Sequence, residues 1–150
     1  MPQSQPPPPP PPHPRILALD PGERRTGVAI SDELGLFAHP RPAIVASTRE
    51  AAIAAAARIA AEEGVTEIVV GLPLTMAGGE SEQTRSARAF ALGLRALVGV
   101  PVTPWDERLS SKEAARAGAG QGKRRDGSLD SAAAAVVLQA VLDARRGAHR

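Results

Sequence analysis

The sequence predicts one α/β domain built on a mixed five-stranded sheet flanked by helices. Three observations predict it. Apolar segments between Arg15 and Ser47 are joined by turns too short for crossover connections, so those strands pair antiparallel. From Ser47 the apolar spacing turns helical, and helix and strand segments then alternate. Bulky apolar residues run from Ile16 to Leu142, enough to close one core without metal or disulfide staples.

The first 14 residues carry nine of the 15 prolines and read as a disordered, proline-rich extension of polyproline II character. The folded domain is expected over residues 15–147. Arg15–Asp20 (RILALD) is apolar on both faces and so predicts a central strand. After a tight PGERR connection, Thr26–Ser31 forms the second strand. Asp32–Gly35 turns the chain into a third strand from Leu36, which Pro40 and Pro42 confine to an edge.

Ser47 and Glu50 have capping-box spacing, and Ile53, Ala57 and Ala60 lie on one stripe of a helix that Gly64 ends. Val65–Gly71 is a buried strand, and the loop LPLTMAGG leads to a helix from about Glu80 to Val98. Val100–Trp105 is the fifth strand, and Ser110 with Glu113 repeats the capping-box spacing. The Gly-rich basic segment 117–127 reads as a mobile loop, and Ser128–Arg146 as the final helix. The predicted order is βββαβαβαα.

Composition narrows the chemistry. With no cysteine there are no thiolate zinc sites, thiol nucleophiles or disulfides. No apolar run reaches membrane-span length, and the proline-rich start lacks the features of a signal peptide, so the expected location is cytoplasmic. The pI of 9.9 overstates basicity: with two lysines and no tyrosine, a surplus of +2 suffices to raise it. Local clusters matter more, namely Arg24–Arg25, Lys123–Arg124–Arg125 and the tail Arg145, Arg146 and Arg150.

Catalytic groups in such sheets gather at the carboxyl ends of strands. Asp20 ends the first strand, and Asp106–Glu107 follows the fifth. Asp130 opens the last helix in phase with Ala134, Val137 and Val141, which must face the sheet. Carboxylates without a Cys or His partner form a hard oxygen set suited to Mg²⁺ or Mn²⁺. A pair of such ions promotes phosphodiester hydrolysis. Each carboxylate also has a structural alternative: a turn starter at Asp20, solvated loop charges at Asp106–Glu107, a helix N-terminal charge at Asp130. The three histidines, at positions 13, 39 and 149, stand in the tail, on the edge strand and near the end, where none suits a base. Gly71–Gly79 lacks the GK[ST] ending of a P-loop. Asp20-Pro-Gly with Thr26-Gly27 also resembles the phosphate loop of actin-like kinases, which need two such domains where this chain has room for one.

Four segments, LALDPGERRTGVAISD, VVGLPLTMAGGESEQT, WDERLSS and LDSAAAAVVLQ, resemble in order the signatures of the YqgF (RuvX) family. The resemblance implies an RNase H-like fold related to the resolvase RuvC, and a nuclease maturing the 5′ end of precursor 16S rRNA. It places the family's acidic positions on Asp20, Glu107 and Asp130. The strand ending at Gly71 continues as Leu-Pro, with no carboxylate where resolvases usually carry one, so Glu107 would supply that ligand from the neighbouring strand.

The expectation is therefore a Mg²⁺- or Mn²⁺-dependent endonuclease acting on structured RNA, with Asp20, Glu107 and Asp130 as metal-holding catalytic residues. Arg24, Arg25, Lys123, Arg124 and Arg125 would contact phosphates without reading sequence. Three aromatics in the whole chain argue against a base-stacking platform. The expected partners are precursor rRNA and ribosomal particles, with the chain a monomer or a homodimer. Two alternatives stay open: resolution of branched DNA, which requires a dimer, and a non-catalytic RNA-binding assembly factor.

Overall fold

Side chains of β1 (Ile16–Pro21) alternate between two apolar layers, and this places every other element. In the computed structural model, which describes residues 5–8, 13–110 and 128–148, β1 is the middle of a five-stranded sheet ordered β3-β2-β1-β4-β5. β2 (Arg25–Ser31) pairs antiparallel with β1, and β3 (Ala38–Val45) antiparallel with β2 at the edge. On the other side, β4 (Glu67–Leu72) and β5 (Val102–Asp106) run parallel to β1, so three carboxyl ends line up. The sheet matches the expected strand set and the edge position of the proline-bearing third strand.

Leu17, Leu19, Val28, Ile30, Ile68 and Val70 point to a layer covered by α1 (Arg49–Glu63) and α2 (Glu82–Arg95). Ile16, Ala18, Ala29 and Val69 point to the opposite layer, under α3 (Ala132–Ala148), where Ala134, Val137, Leu138 and Val141 cover them. Each large apolar side chain withdrawn from water contributes about 1.5–3 kcal/mol, so both layers drive closure. α1 packs through Ala52, Ile53, Ala56 and Ala60.

Helix starts differ from expectation at α1 and at α3, which begins at Ala132 and not at Ser128. The cap of α1 is Thr48, whose side chain accepts from the Ala51 N–H, and not a Ser47–Glu50 box. Both hydroxyls precede the same alanine run, and extended backbone at Thr48 selects between them. At α2 a true capping box forms between Ser81 and Thr84. The Ser110–Glu113 spacing and the basic segment with Lys123, Arg124 and Arg125 lie outside the described residues, as does most of the proline-rich start. Among the described residues, no helix is long and apolar enough to cross a membrane.

The chain reaches α3 through a 3-10 turn, Ser128–Ser131, anchored to an irregularity in the sheet. The β2–β3 register shifts between Thr26 and Val28. The buried Ser131 hydroxyl fills the interrupted ladder: it accepts from the Val28 N–H at 2.9 Å and donates to the Arg41 carbonyl at 2.6 Å. Gly27 makes room, since a Cβ there would lie 3.0 Å from the Asp130 carbonyl and 3.4 Å from the Ala134 methyl. Two turns further along, Gln139 accepts from Ala38 N–H and donates to the Leu36 carbonyl, fixing α3 to the start of β3.

Ser131→Ala leaves one buried donor, the Val28 N–H, and one part-buried acceptor, the Arg41 carbonyl, without partners. The expected loss is roughly 2–3 kcal/mol of unfolding free energy by urea titration. A loss below about 0.5 kcal/mol would show that the bridge is replaceable by water.

Candidate active site

By alternation, Asp20 points to the α3 face with Ile16 and Ala18, and Gly71 to the same face with Val69. Glu107 opens the 3-10 turn Glu107–Leu109 directly after β5. Its carboxyl folds back over the end of β4. A Cβ on Gly71 would stand 2.7 Å from Glu107 Oε1 and 3.3 Å from its Cδ. The bare backbone of Gly71 is thus the seat of a carboxylate delivered from the end of the neighbouring strand.

Glu107 and Asp20 touch through their carboxyl groups. Two carboxylates have no donor between them unless one keeps its proton. Burial first, then the contact with Asp20 and the negative charges of Asp20 and Asp106, push the Glu107 carboxyl up to about 8. Glu107 Oε1 is buried with no hydrogen-bond donor. A proton relieves this arrangement, and so does a cation. An oxygen-only, electron-rich pair with an unsatisfied acceptor fits a hard divalent ion such as Mg²⁺ or Mn²⁺.

Asp106 is occupied elsewhere. It caps the 3-10 turn through the Arg108 N–H and takes three further bonds from the Arg108 guanidinium, which hold its carboxyl below the usual carboxylate range. This adjacent pair of acids therefore divides its work.

Asp130 stands on the α3 side of the sheet, with its backbone against Gly27, the register partner of Asp20. It belongs to the 3-10 turn and not to the helix, so helical phasing with Ala134 does not carry its side chain inward. That side chain is 38% exposed and ion-paired with Arg25. Among the described residues no three carboxylates or histidines come together as one ion-holding group. Asp20 and Glu107 are assembled, and Asp130 is held a short way off by Arg25. Arg24 is exposed at the β1–β2 turn, and its carbonyl accepts from Ala46 N–H.

Sequence reasoning did not find three features: Gly71 as a seat, Arg25 as the partner of Asp130, and Arg108 as the group that neutralises Asp106. The first had a signal, a glycine where an acid was expected. The other two require the fold.

A sheet of order β3-β2-β1-β4-β5 with acids at the carboxyl ends of central β1 and edge β5 has an RNase H-like fold. RuvC of Thermus thermophilus shares it: the free structure superposes with a TM-score of 0.58 at 17% identity, covering 89% of this chain and 96% of that one. RuvC in complex with a Holliday junction substrate superposes with a TM-score of 0.56, also at 17% identity, covering 90% and 97%. The chain belongs to the RuvX family, described as Holliday junction resolvase, whose model matches residues 14–144. Two relatives bear the name "Putative pre-16S rRNA nuclease". The one from Chloroflexus aggregans is 45% identical, covering 87% of this chain and 94% of the relative. The one from Koribacter versatilis is 40% identical, covering 92% of each.

The metal-free protein should lose stability as pH rises. Glu107 keeps its proton in the folded state up to about 8, against an ordinary value of 4.5, so between those values unfolding releases a proton. Stability by urea titration should fall from pH 5 to pH 8.5, and Asp20→Asn should flatten the slope. Gly71→Ala should displace the Glu107 carboxyl and return its titration, followed by carboxyl NMR, toward the ordinary range. An unmoved Glu107 titration in that variant would mean its carboxyl does not rest on Gly71.

Proposed function

We propose that this chain is a divalent-metal-dependent endonuclease that hydrolyses phosphodiester bonds in structured RNA, maturing the 5′ end of precursor 16S rRNA in the cytoplasm. The observation that carries this is the Asp20–Glu107 carboxyl pair with its unsatisfied Glu107 oxygen at the meeting of three strand ends. The name borne by the relatives supports RNA as substrate.

Asp20 and Glu107 are the residues that would hold Mg²⁺ or Mn²⁺, with Asp130 as the third once it leaves Arg25. The chemistry supplied by such ions is activation of water and neutralisation of the leaving oxygen. The chain itself does the positioning. Arg25, released from Asp130, turns a guanidinium toward backbone phosphate beside the acids. Arg24, exposed at the adjoining turn, contacts phosphate further along the backbone, and Lys123, Arg124 and Arg125 add contacts from the segment before Asp130. Arg108 keeps Asp106 paired, so Glu107 alone of the two faces the substrate.

Labelled precursor rRNA and a four-way DNA junction, assayed side by side with Mn²⁺ alongside a solution mass measurement, test the proposal. The expected result is cleavage of the RNA, abolished in Asp20→Asn and Glu107→Gln and reduced more mildly in Asp106→Asn. Preferential cutting of the junction by a dimer would replace the proposal with branched-DNA resolution. RNA binding without cleavage would replace it with an assembly role. Millimolar Mg²⁺ or Mn²⁺ should also raise Tm, and the Asp20→Asn, Glu107→Gln double variant should lose that shift.

A further inference from the structure

On the opposite face of the sheet from the carboxylates, a cleft of about 260 Å³ opens between the β1–β2 turn, the start of α1 and the flank of α2. Its lining includes the cations Arg24 and Arg49, the hydroxyl residues Thr26, Thr48 and Ser86, and a base formed by Phe90. Among the described residues of the lining Glu23 is the only acid, and the two cations outnumber it. Arg49 donates to Ser86 Oγ at 3.2 Å, which draws its guanidinium across from α1 to α2. Thr48 uses its own side chain and carbonyl to satisfy the Ala51 and Ala52 N–H groups. The first amides of α1 remain for another acceptor.

This composition suits a tetrahedral oxyanion with hydroxyl and guanidinium donors around it. Position suggests its source. Pro21 lines the cleft, one residue after Asp20, and Thr26, also in the lining, pairs with Pro21 across the strands. The cleft and the carboxylates therefore lie on opposite faces of one hairpin, at the same end of the sheet.

We infer that this cleft is a seat for a backbone phosphate of the substrate, outside the bond presented to Asp20 and Glu107 and round the end of the β1–β2 hairpin from it. The inference rests on the nuclease reading for its substrate, but it makes a binding claim that stands apart from cleavage. Arg49 is the decisive residue, because it joins the two helices over the cleft and has no part in the carboxylate site. The seat fixes register along the strand and carries no base preference.

The test is binding of a fluorescent structured RNA by anisotropy, in EDTA, with the full chain at several salt concentrations. Arg49→Gln should lower affinity about five- to eight-fold at 0.1 M salt and reduce the slope of log K against log salt by about one contact. Ser86→Ala removes one neutral donor while keeping the charge, and should lower affinity about two-fold or less with the salt slope unchanged. An unchanged slope in Arg49→Gln overturns the seat, and so does an equal loss in Ser86→Ala, which would mark the pair as structural packing. A nucleoside monophosphate titration forms the third arm. Tight binding of that monophosphate, lost in Arg49→Gln while the RNA slope stays put, would assign the cleft to a small phosphate ester and overturn the backbone assignment. Because metal is withheld, failure of the nuclease reading appears only in the cleavage assay, and failure of the seat appears only here.

Discussion

Alternation along β1 is the constraint from which the remaining structure follows. A six-residue strand must send successive side chains to opposite faces, and this one sends Leu17 and Leu19 to the α1–α2 layer and Ile16, Ala18 and Asp20 to the α3 layer. The same period in β4 turns Gly71 toward Asp20. In β2 it turns Thr26 away from Asp20 and Gly27 toward Asp130. A one-residue slip in β1 would reverse all of these together, and both apolar layers resist it.

The fold was legible because its signals are periodic. Strands buried on both faces, a proline-bearing edge strand and the switch to helical spacing at residue 47 all survive in a single sequence. The acids at strand ends were legible for the same reason. Less legible were interactions that depend on which neighbour arrives. Ser47 and Thr48 offer equal capping chemistry, and only backbone geometry distinguishes them. Asp130 followed the helical phase on paper, but the chain enters α3 through a tighter turn that moves it toward Arg25. Ser131 looked like one more small residue in an alanine run, and its value comes from a register shift between two distant strands.

The acids show how charge is managed within a small volume. Asp106 is neutralised by the residue two positions on, Asp130 by Arg25, and Glu107 by retention of a proton beside Asp20. Three adjacent carboxylates thus find three different counter-charges in the protein alone. Each is exchangeable: a guanidinium can rotate away and a proton can leave. The arrangement keeps the fold tolerable without a ligand and leaves the acids open to one that brings positive charge.

Taking the second acid from β5 rather than β4 has a dynamic consequence. β5 is an edge strand of five residues, paired on one side only, with Thr103 and Pro104 exposed. Edge segments with few buried contacts open in sub-global fluctuations well below the free energy of complete unfolding. Glu107 is therefore borne by a part of the molecule that can detach while β1, β2 and β4 stay packed. The carboxylate pair then has its own local stability, lower than that of the sheet, and a ligand that ties Glu107 to Asp20 clasps the edge strand to the core.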